Sequence, residues 1–328
     1  MSASLDLGDL AYEALRLAFF PYQRERRIAK ERERVNAARF ASRVLAAGLQ
    51  NSLALRVATA VSRAWASTTT ARRLPMASTE SSSRSLRDAA HSLALRRDGN
   101  VACWGHNGSG QAPPAGIEGD FVAIAAGRFH SLALRRGGGV SCWGGNFSGR
   151  APPDGVDGDF VAIAAGLYHS LALRRDGNVA CWGRNHRGQA TPAGVDGDFV
   201  AIAAGDNHSL ALRRDGRIAC WGSNNNGEAP PDGVDGDFVA IAAGSGHSLA
   251  LRRDGSTACW GNNDHGQAPP DGVPGDFVAI AAGSHHSLAL RRDGNVACWG
   301  SHPFGQAPPE GVIGPFRTQE LADENQVV

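Results

Sequence analysis

The sequence repeats itself every 39 residues, and no other property narrows the possible folds as far. Histidines stand at His91, His130, His169, His208, His247 and His286, and tryptophans at Trp104, Trp143, Trp182, Trp221, Trp260 and Trp299, each series advancing by 39. All six cysteines keep the same step, each immediately before its tryptophan: Cys103, Cys142, Cys181, Cys220, Cys259 and Cys298. A fixed period of this size marks an array of supersecondary units. Each unit is too small to bury its own apolar face and depends on stacking against its neighbours.

One unit, read from Phe160, is FVAIAAGLYHSLALRRDGNVACWGRNHRGQATPAGVDGD. Its β-rich runs predict four short strands, at Phe160–Ala165, Ser170–Arg174, Asn178–Trp182 and briefly at Gln189–Ala190. The turns between them are Gly-x-x-His, Arg-Arg-Asp-Gly and Gly-x-Asn-x-x-Gly, followed by a proline-containing stretch. Asp-Gly between alternating apolar residues is a strong hairpin signal, because glycine accepts the positive φ that tight hairpin turns require. Four strands in about forty residues is the size of a β-propeller blade. The 42 glycines, 16 prolines and recurrent Pro-Pro pairs exclude helical solenoids of similar period.

The pattern Gly-x-x-His-Ser-Leu-Ala-Leu, then Asp-Gly, then Cys-Trp-Gly-x-Asn-x-x-Gly-Gln, carried six times over residues 88–313, resembles the regulator-of-chromosome-condensation repeat. The resemblance implies an all-β, seven-bladed β-propeller of 39-residue four-stranded repeats. Gln-Ala-Pro-Pro stands where eukaryotic members usually show Gln-Leu-Gly. That variant looks closer to the bacterial branch, which includes a secreted β-lactamase inhibitor protein.

A seventh copy is degraded but legible. Ala46-Ala47-Gly48-Leu49-Gln50-Asn51-Ser52-Leu53-Ala54-Leu55-Arg56 echoes the Ala-Ala-Gly-x-x-His-Ser-Leu-Ala-Leu-Arg segment, and Trp65 is the remnant of Cys-Trp-Gly. The expected organisation is a basic helical extension over 1–44, a degenerate first repeat with a Ser/Thr-rich segment over 45–87, six regular repeats over 88–319 and a tail over 320–328. Pro315–Gln319, aligned with the Phe-Val-Ala-Ile strand, is expected to close the ring against the N-terminal copy.

Several chemistries are argued against by the same residues. The chain has a single lysine, Lys30, with no glycine loop near it, which removes Walker-type phosphate loops and Schiff-base enzymes. His169, Ser170 and Asp176 suggest a nucleophilic triad, yet the trio recurs in almost every unit, whereas catalysis needs one asymmetric constellation. Histidine and serine at the start of an inner strand are instead expected to satisfy buried backbone groups. Successive cysteines 39 apart do not converge as zinc ligands do, and in a sevenfold ring of radius beyond ~8 Å they exceed the ~7 Å disulfide limit. They are expected to be buried thiols, and the tryptophans to be blade-core packing. No catalytic residue, metal or cofactor is assigned, and the expectation is a non-enzymatic protein.

The units differ from one another chiefly in two of their four turns. The first turn reads Arg128-Phe129, Leu167-Tyr168, Asp206-Asn207, Ser245-Gly246 and Ser284-His285. The third carries His106, Phe147, Arg184 with His186 and Arg187, Asn225, Asp264 with His265, and Phe304. Successive turns of an antiparallel blade alternate between its ends, so turns one and three share a face. Variable loops on a constant scaffold suit recognition, and the aromatic and arginine residues among them are of the kind that dominates interfaces. The expected partner-binding residues are therefore Arg128, Phe129, Phe147, Leu167, Tyr168, Arg184, His186, Arg187, Asp206, Asn207, Asn225, Asp264, His265, His285 and Phe304.

The resemblance implies further possibilities. Some relatives are exchange factors for a small nuclear GTPase, which use an inserted wedge that the rigid 39-residue step does not provide. Others are substrate-binding modules of HECT-type ubiquitin ligases, and a HECT domain is absent from this sequence. The plant ultraviolet-B receptor uses tryptophans in the first turn, and none of these turns carries one. The leading expectation is a scaffold for a protein partner; nucleotide exchange on a small GTPase is the alternative, and a ligase-type or purely structural paralogue the third.

Charge is distributed unevenly. Residues 1–90 carry 15 Arg/Lys against 8 Asp/Glu, while the remainder carries 18 against 24, so a basic head precedes an acidic body. Within the head, Arg27 and Glu31 sit four apart, as on a solvated helix. A nucleic-acid partner is expected only through this extension, if at all. No run of 18 apolar residues and no secretory signal is present, so no membrane partner and a cytoplasmic or nuclear location are expected.

Overall fold

The computed structural model describes residues 45–47, 51–54, 63–66, 91–96, 98–301 and 311. The expected helical extension, the Ser/Thr-rich segment, Pro315–Gln319, the tail and Phe304 lie outside the described residues. Strands gather into seven separate antiparallel sheets in chain order. Sheet 1 holds Leu45–Ala47, Asn51–Ala54 and Arg63–Ala66; sheet 2 holds His91–Leu95 and Val101–Gly105. Sheets 3 to 7 each hold three strands: Phe121–Ala126, His130–Arg135 and Val140–Gly144; Phe160–Ala165, His169–Arg174 and Val179–Gly183; Phe199–Ala204, His208–Arg213 and Ile218–Gly222; Phe238–Ala243, His247–Arg252 and Thr257–Gly261; and Phe277–Ala282, His286–Arg291 and Val296–Gly300.

The expected fourth strand does not form. Gln189 and Ala190 lie in a bend, and the outer edge of sheet 4 receives one residue, Val195, which exchanges two backbone hydrogen bonds of 2.8 and 2.9 Å with Val179. Pro192 has no amide hydrogen to donate to a ladder, and the turn from Thr191 to Gly194 spends the residues a longer strand would need. Ile117, Val156, Val234 and Val273 make the same single bridge in their own units.

The Phe-Val-Ala-Ile strands of successive sheets lie beside one another, so they are innermost, with the His-Ser strands in the middle. The histidines and serines thus start a middle strand, not the expected inner one. Alanine-rich strands occupy the converging centre because small side chains fit the taper. Apolar burial runs between sheets: Phe160 and Ala172 of sheet 4 close over Leu132, Leu134, Val140, Cys142 and Ala151 of sheet 3 and its third turn. Burial of a side chain such as Phe160 contributes about 1.5–3 kcal/mol, and it is available only when a neighbouring sheet is present. The stacking that the period implies is therefore the source of the core.

Sheet 1 keeps the register of the regular units despite its divergent sequence. Ser52 pairs with Trp65 and Ala47 with Ser52, as Ser170 pairs with Trp182 and Ala165 with Ser170. Its Leu45–Ala47 strand lies beside Phe277–Ala282 of sheet 7.

Candidate partner-binding face

The recurrent histidine, serine and tryptophan form a latch between sheets. Ser170 Oγ donates to the backbone carbonyl of Arg150, 2.9 Å away in the preceding unit, and Trp182 Nε1 donates to the same oxygen at 3.0 Å. The serine hydrogen being committed, His130 Nε2 must donate to Ser170 Oγ, at 2.9 Å. The same linkage joins His169 to Ser209, His208 to Ser248 and His247 to Ser287. Burial drives these imidazoles down, His169 to about 3 and His208 to about 4, so they are neutral. Trp143, Trp182, Trp221, Trp260 and Trp299 are partly buried and each works as a staple between sheets as well as packing, which refines their expected role, whereas Trp104 is exposed.

This arrangement consumes the suspected triad. His169 bonds to the serine of the next sheet, Ser170 donates to a carbonyl of the previous unit, and Asp176 accepts from the Asn178 amide in the second turn. Gly166 shows why the turn before each histidine begins with glycine. A Cβ there would collide with the His169 ring and the Gly205 carbonyl of the next sheet. Burial likewise pushes the Cys142 and Cys220 thiols up to about 12, and no two of the described cysteines are joined in a disulfide. Among the described residues no group of three or more His, Cys, Asp or Glu side chains converges as a metal site would.

Turns one and three meet at one end of each of sheets 3 to 7. The carbonyl of Phe129 accepts from the Gly145 amide at 2.7 Å, and the same bond joins Tyr168 to Arg184, Asn207 to Ser223, Gly246 to Asn262 and His285 to Ser301. The second turn lies at the opposite end, where exposed ion pairs recur: Arg136–Asp120, Arg175–Asp159, Arg214–Asp198, Arg253–Asp237 and Arg292–Asp276, at 2.7–2.9 Å. Exposed pairs of this kind contribute little each, but they leave those arginines partnered.

On the variable face, sheets 3 and 4 bring five of the expected residues into one cluster. The rings of Phe129 and Tyr168 stack with centroids 6.0 Å apart and planes 18° apart. Arg128 lies over Phe129 at 5.3 Å and Arg184 over Tyr168 at 5.3 Å. Phe147, 77% exposed, stands on the adjoining third turn.

A sixth member, Arg150, was not among the expected residues. Its guanidinium lies 5.7 Å from the Phe129 ring and 5.5 Å from the Tyr168 ring, although the residue is only 5% exposed. The signal lay in the comparison of units, because this position reads Gln111, Arg150, Gln189, Glu228, Gln267 and Gln306. Where it is Gln or Glu, a side-chain oxygen accepts the amide two residues earlier, as Gln189 Oε1 accepts from Arg187. Arginine has no acceptor to offer. Arg150 instead donates Nη1 to the Phe147 carbonyl at 2.9 Å, and the reversed polarity is met by a turn in which Ser148 takes φ 65°.

The other expected residues are dispersed around the ring. Asp206 is held by Ser245, and burial pushes its carboxyl up against the opposing pull of that hydrogen bond and of the Arg128 and His285 charges. First-turn residues from four sheets thus interact electrostatically. His265 and His285 meet edge to face at 5.3 Å between sheets 6 and 7. Leu167 and Asn207 are half-buried, while His186, Arg187, Asn225 and Asp264 stand exposed at the tips of third turns. No helix among the described residues is long and apolar enough to cross a membrane.

The model of the regulator of chromosome condensation (RCC1) repeat matches this chain six times, at residues 89–111, 121–150, 160–189, 199–228, 238–267 and 277–306. Comparison with curated proteins returned no match. Among solved structures, Prp20p of Saccharomyces cerevisiae, described with its binding properties to Gsp1p and histones, is 25% identical with a TM-score of 0.55 over 72% of this chain and 76% of that one. Yeast RCC1 (Prp20) bound to Kap60 is similar at 24% identity and a TM-score of 0.56, covering 72% of this chain and 74% of that chain. The ectodomain of the Physcomitrella patens receptor kinase CR4 shares the fold at 24% identity and a TM-score of 0.61, over 79% of this chain and 73% of that one.

Proposed function

Because this chain belongs to the regulator of chromosome condensation repeat family, we propose that it is a non-enzymatic propeller scaffold that binds a protein partner through the ring of variable first and third turns. One observation carries this proposal: the turns that differ between units are hydrogen-bonded together at one end of each sheet, while the near-constant second turns occupy the other. Random drift would have altered both exposed ends alike. Among the described residues, the commitment of His130, His169, His208 and His247 and of the serines beside them to the latch between sheets supports a structural rather than a catalytic role for the recurrent His-Ser pair. The placement of sheet 1 beside sheet 7 supports a closed seven-bladed ring.

The test is affinity capture with purified wild-type protein and with a Phe129→Ala/Tyr168→Ala variant. The variant should lose the partners that the wild type retains, with an unchanged circular-dichroism spectrum. Retention of every partner would refute the assignment of this face.

A second function, nucleotide exchange on a small GTPase, draws support from the similarity to Prp20p, whose description names Gsp1p. Against it stands the regular strand length and 39-residue step of sheets 3 to 7, which leave no inserted element. A nucleotide-release assay against a panel of small GTPases separates the two, and robust acceleration by the purified chain would favour exchange.

A further inference from the structure

Resting on that choice of face, we propose that Arg128, Arg150 and Arg184, fixed around the stacked Phe129–Tyr168 pair, dock an acidic, carboxylate-bearing segment of the protein partner. The first argument is charge. In each Arg-Arg turn of sheets 3 to 7 the second arginine has an aspartate within 2.9 Å and the first stands apart from its counterparts, as Arg174 does over Phe160, whereas Arg128, Arg150 and Arg184 gather three guanidiniums around one pair of rings and, among the described residues, have no carboxylate within ion-pair distance. Asp206 interacts electrostatically with Arg128 but forms no such pair. The second argument is desolvation. Arg150 is almost wholly buried, and its Nε, like that of Arg128, has no hydrogen-bond partner. A buried cation without a counter-ion is costly, and an approaching carboxylate offsets that cost where a neutral ligand cannot.

The third argument is preorganisation. Guanidiniums held over aromatic rings have already lost much of their rotamer freedom, so less is lost when they grip a planar carboxylate with two parallel hydrogen bonds.

Nucleic acid is a poorer occupant. The two rings are engaged with each other and with guanidiniums, so they are not free platforms for base stacking. The body is acidic overall, and Asp206 and Asp264 lie on the same face, so a long polyanion crossing the ring meets repulsion that a short acidic segment avoids.

Fluorescence anisotropy of a labelled oligoglutamate peptide, titrated with the purified full chain, tests this directly. Binding is expected to weaken with salt and to fall about tenfold or more in Arg128→Ala/Arg184→Ala. It should be unchanged in Arg136→Ala/Arg175→Ala, which removes the same charge from the opposite end. Thermal midpoints of both variants verify folding, since none of the four side chains takes part in the latch. Failure to bind, an equal loss in both variants, or tighter binding of an oligothymidylate than of the peptide each overturns the proposal. If the peptide fails while Phe129→Ala/Tyr168→Ala still abolishes partner capture, the face stands and only the acidic chemistry falls.

Discussion

His169 Nε2 lies 2.9 Å from Ser209 Oγ, a residue 40 positions on and in the neighbouring sheet. Ser209 in turn donates to the carbonyl of Gln189, back in the histidine's own unit, at 2.9 Å. One period plus one residue is therefore the separation at which adjacent sheets are locked. Replacing Ser209 with alanine leaves a buried imidazole N–H without an acceptor and removes one of the two donors on the Gln189 carbonyl, the other being Trp221 Nε1. The expected cost is about 2–3 kcal/mol. Thermal denaturation should show the midpoint falling by several degrees, and an unchanged midpoint would contradict the latch.

Acid should unfold the protein steeply. Burial depresses His91, His208 and His286 to about 4, and His130, His169 and His247 to about 3, against an unfolded value of about 6.5. The folded state thus excludes protons that the unfolded chain accepts. Stability is fully present above pH 6.5 and is lost as the pH falls toward the folded values. Each histidine contributes a slope approaching ~1.4 kcal/mol per pH unit, and the six together remove up to ~8 kcal/mol by about pH 5.5. Typical stabilities of 5–15 kcal/mol place unfolding between about pH 6 and pH 5. Circular dichroism across this range should show it, with a slope about a third smaller in His169→Gln/His208→Gln. A midpoint that does not change between pH 7 and pH 5 would be incompatible with six neutral buried imidazoles.

Arg150→Gln should trade binding for stability. Glutamine restores an acceptor for the Ser148 amide, relieves a non-glycine residue held at φ 65°, and removes a buried cation. Relief of the left-handed serine alone is worth about 1–2 kcal/mol. The variant is expected to melt a few degrees higher than wild type while binding the oligoglutamate peptide more weakly. A lower melting point would show that the cation–π contacts of Arg150 outweigh the strain.

The thiols of Cys142, Cys181, Cys220 and Cys259 should resist alkylation in the native protein. Burial raises them to about 11–12, leaving almost no thiolate at neutral pH. Iodoacetamide followed by mass spectrometry should label these four only after denaturation. Rapid native labelling of any of them would show that its sheet opens readily.

The 39-residue period of histidine, cysteine and tryptophan determined the number of regular units, and the runs and turns within one unit gave three of its strands and the shared end of its variable turns. Even the degraded first copy was legible, since Trp65 takes the register of the repeat tryptophan opposite Ser52. These features are local or recur at one spacing, and spacing is what a chain displays. The tertiary structure decided what lies across the gap between units. It put the alanine-rich strand innermost, reduced the fourth strand to a single bridge beside a proline turn, and gave His91, His130, His169, His208 and His247 each to the serine of the next sheet. It also made Arg150, the one basic residue at a position that is otherwise Gln or Glu, the centre of an arginine–aromatic cluster. A period reports that a residue recurs, but which neighbour it meets depends on how sheets converge, and that is set by side-chain volume and burial between units.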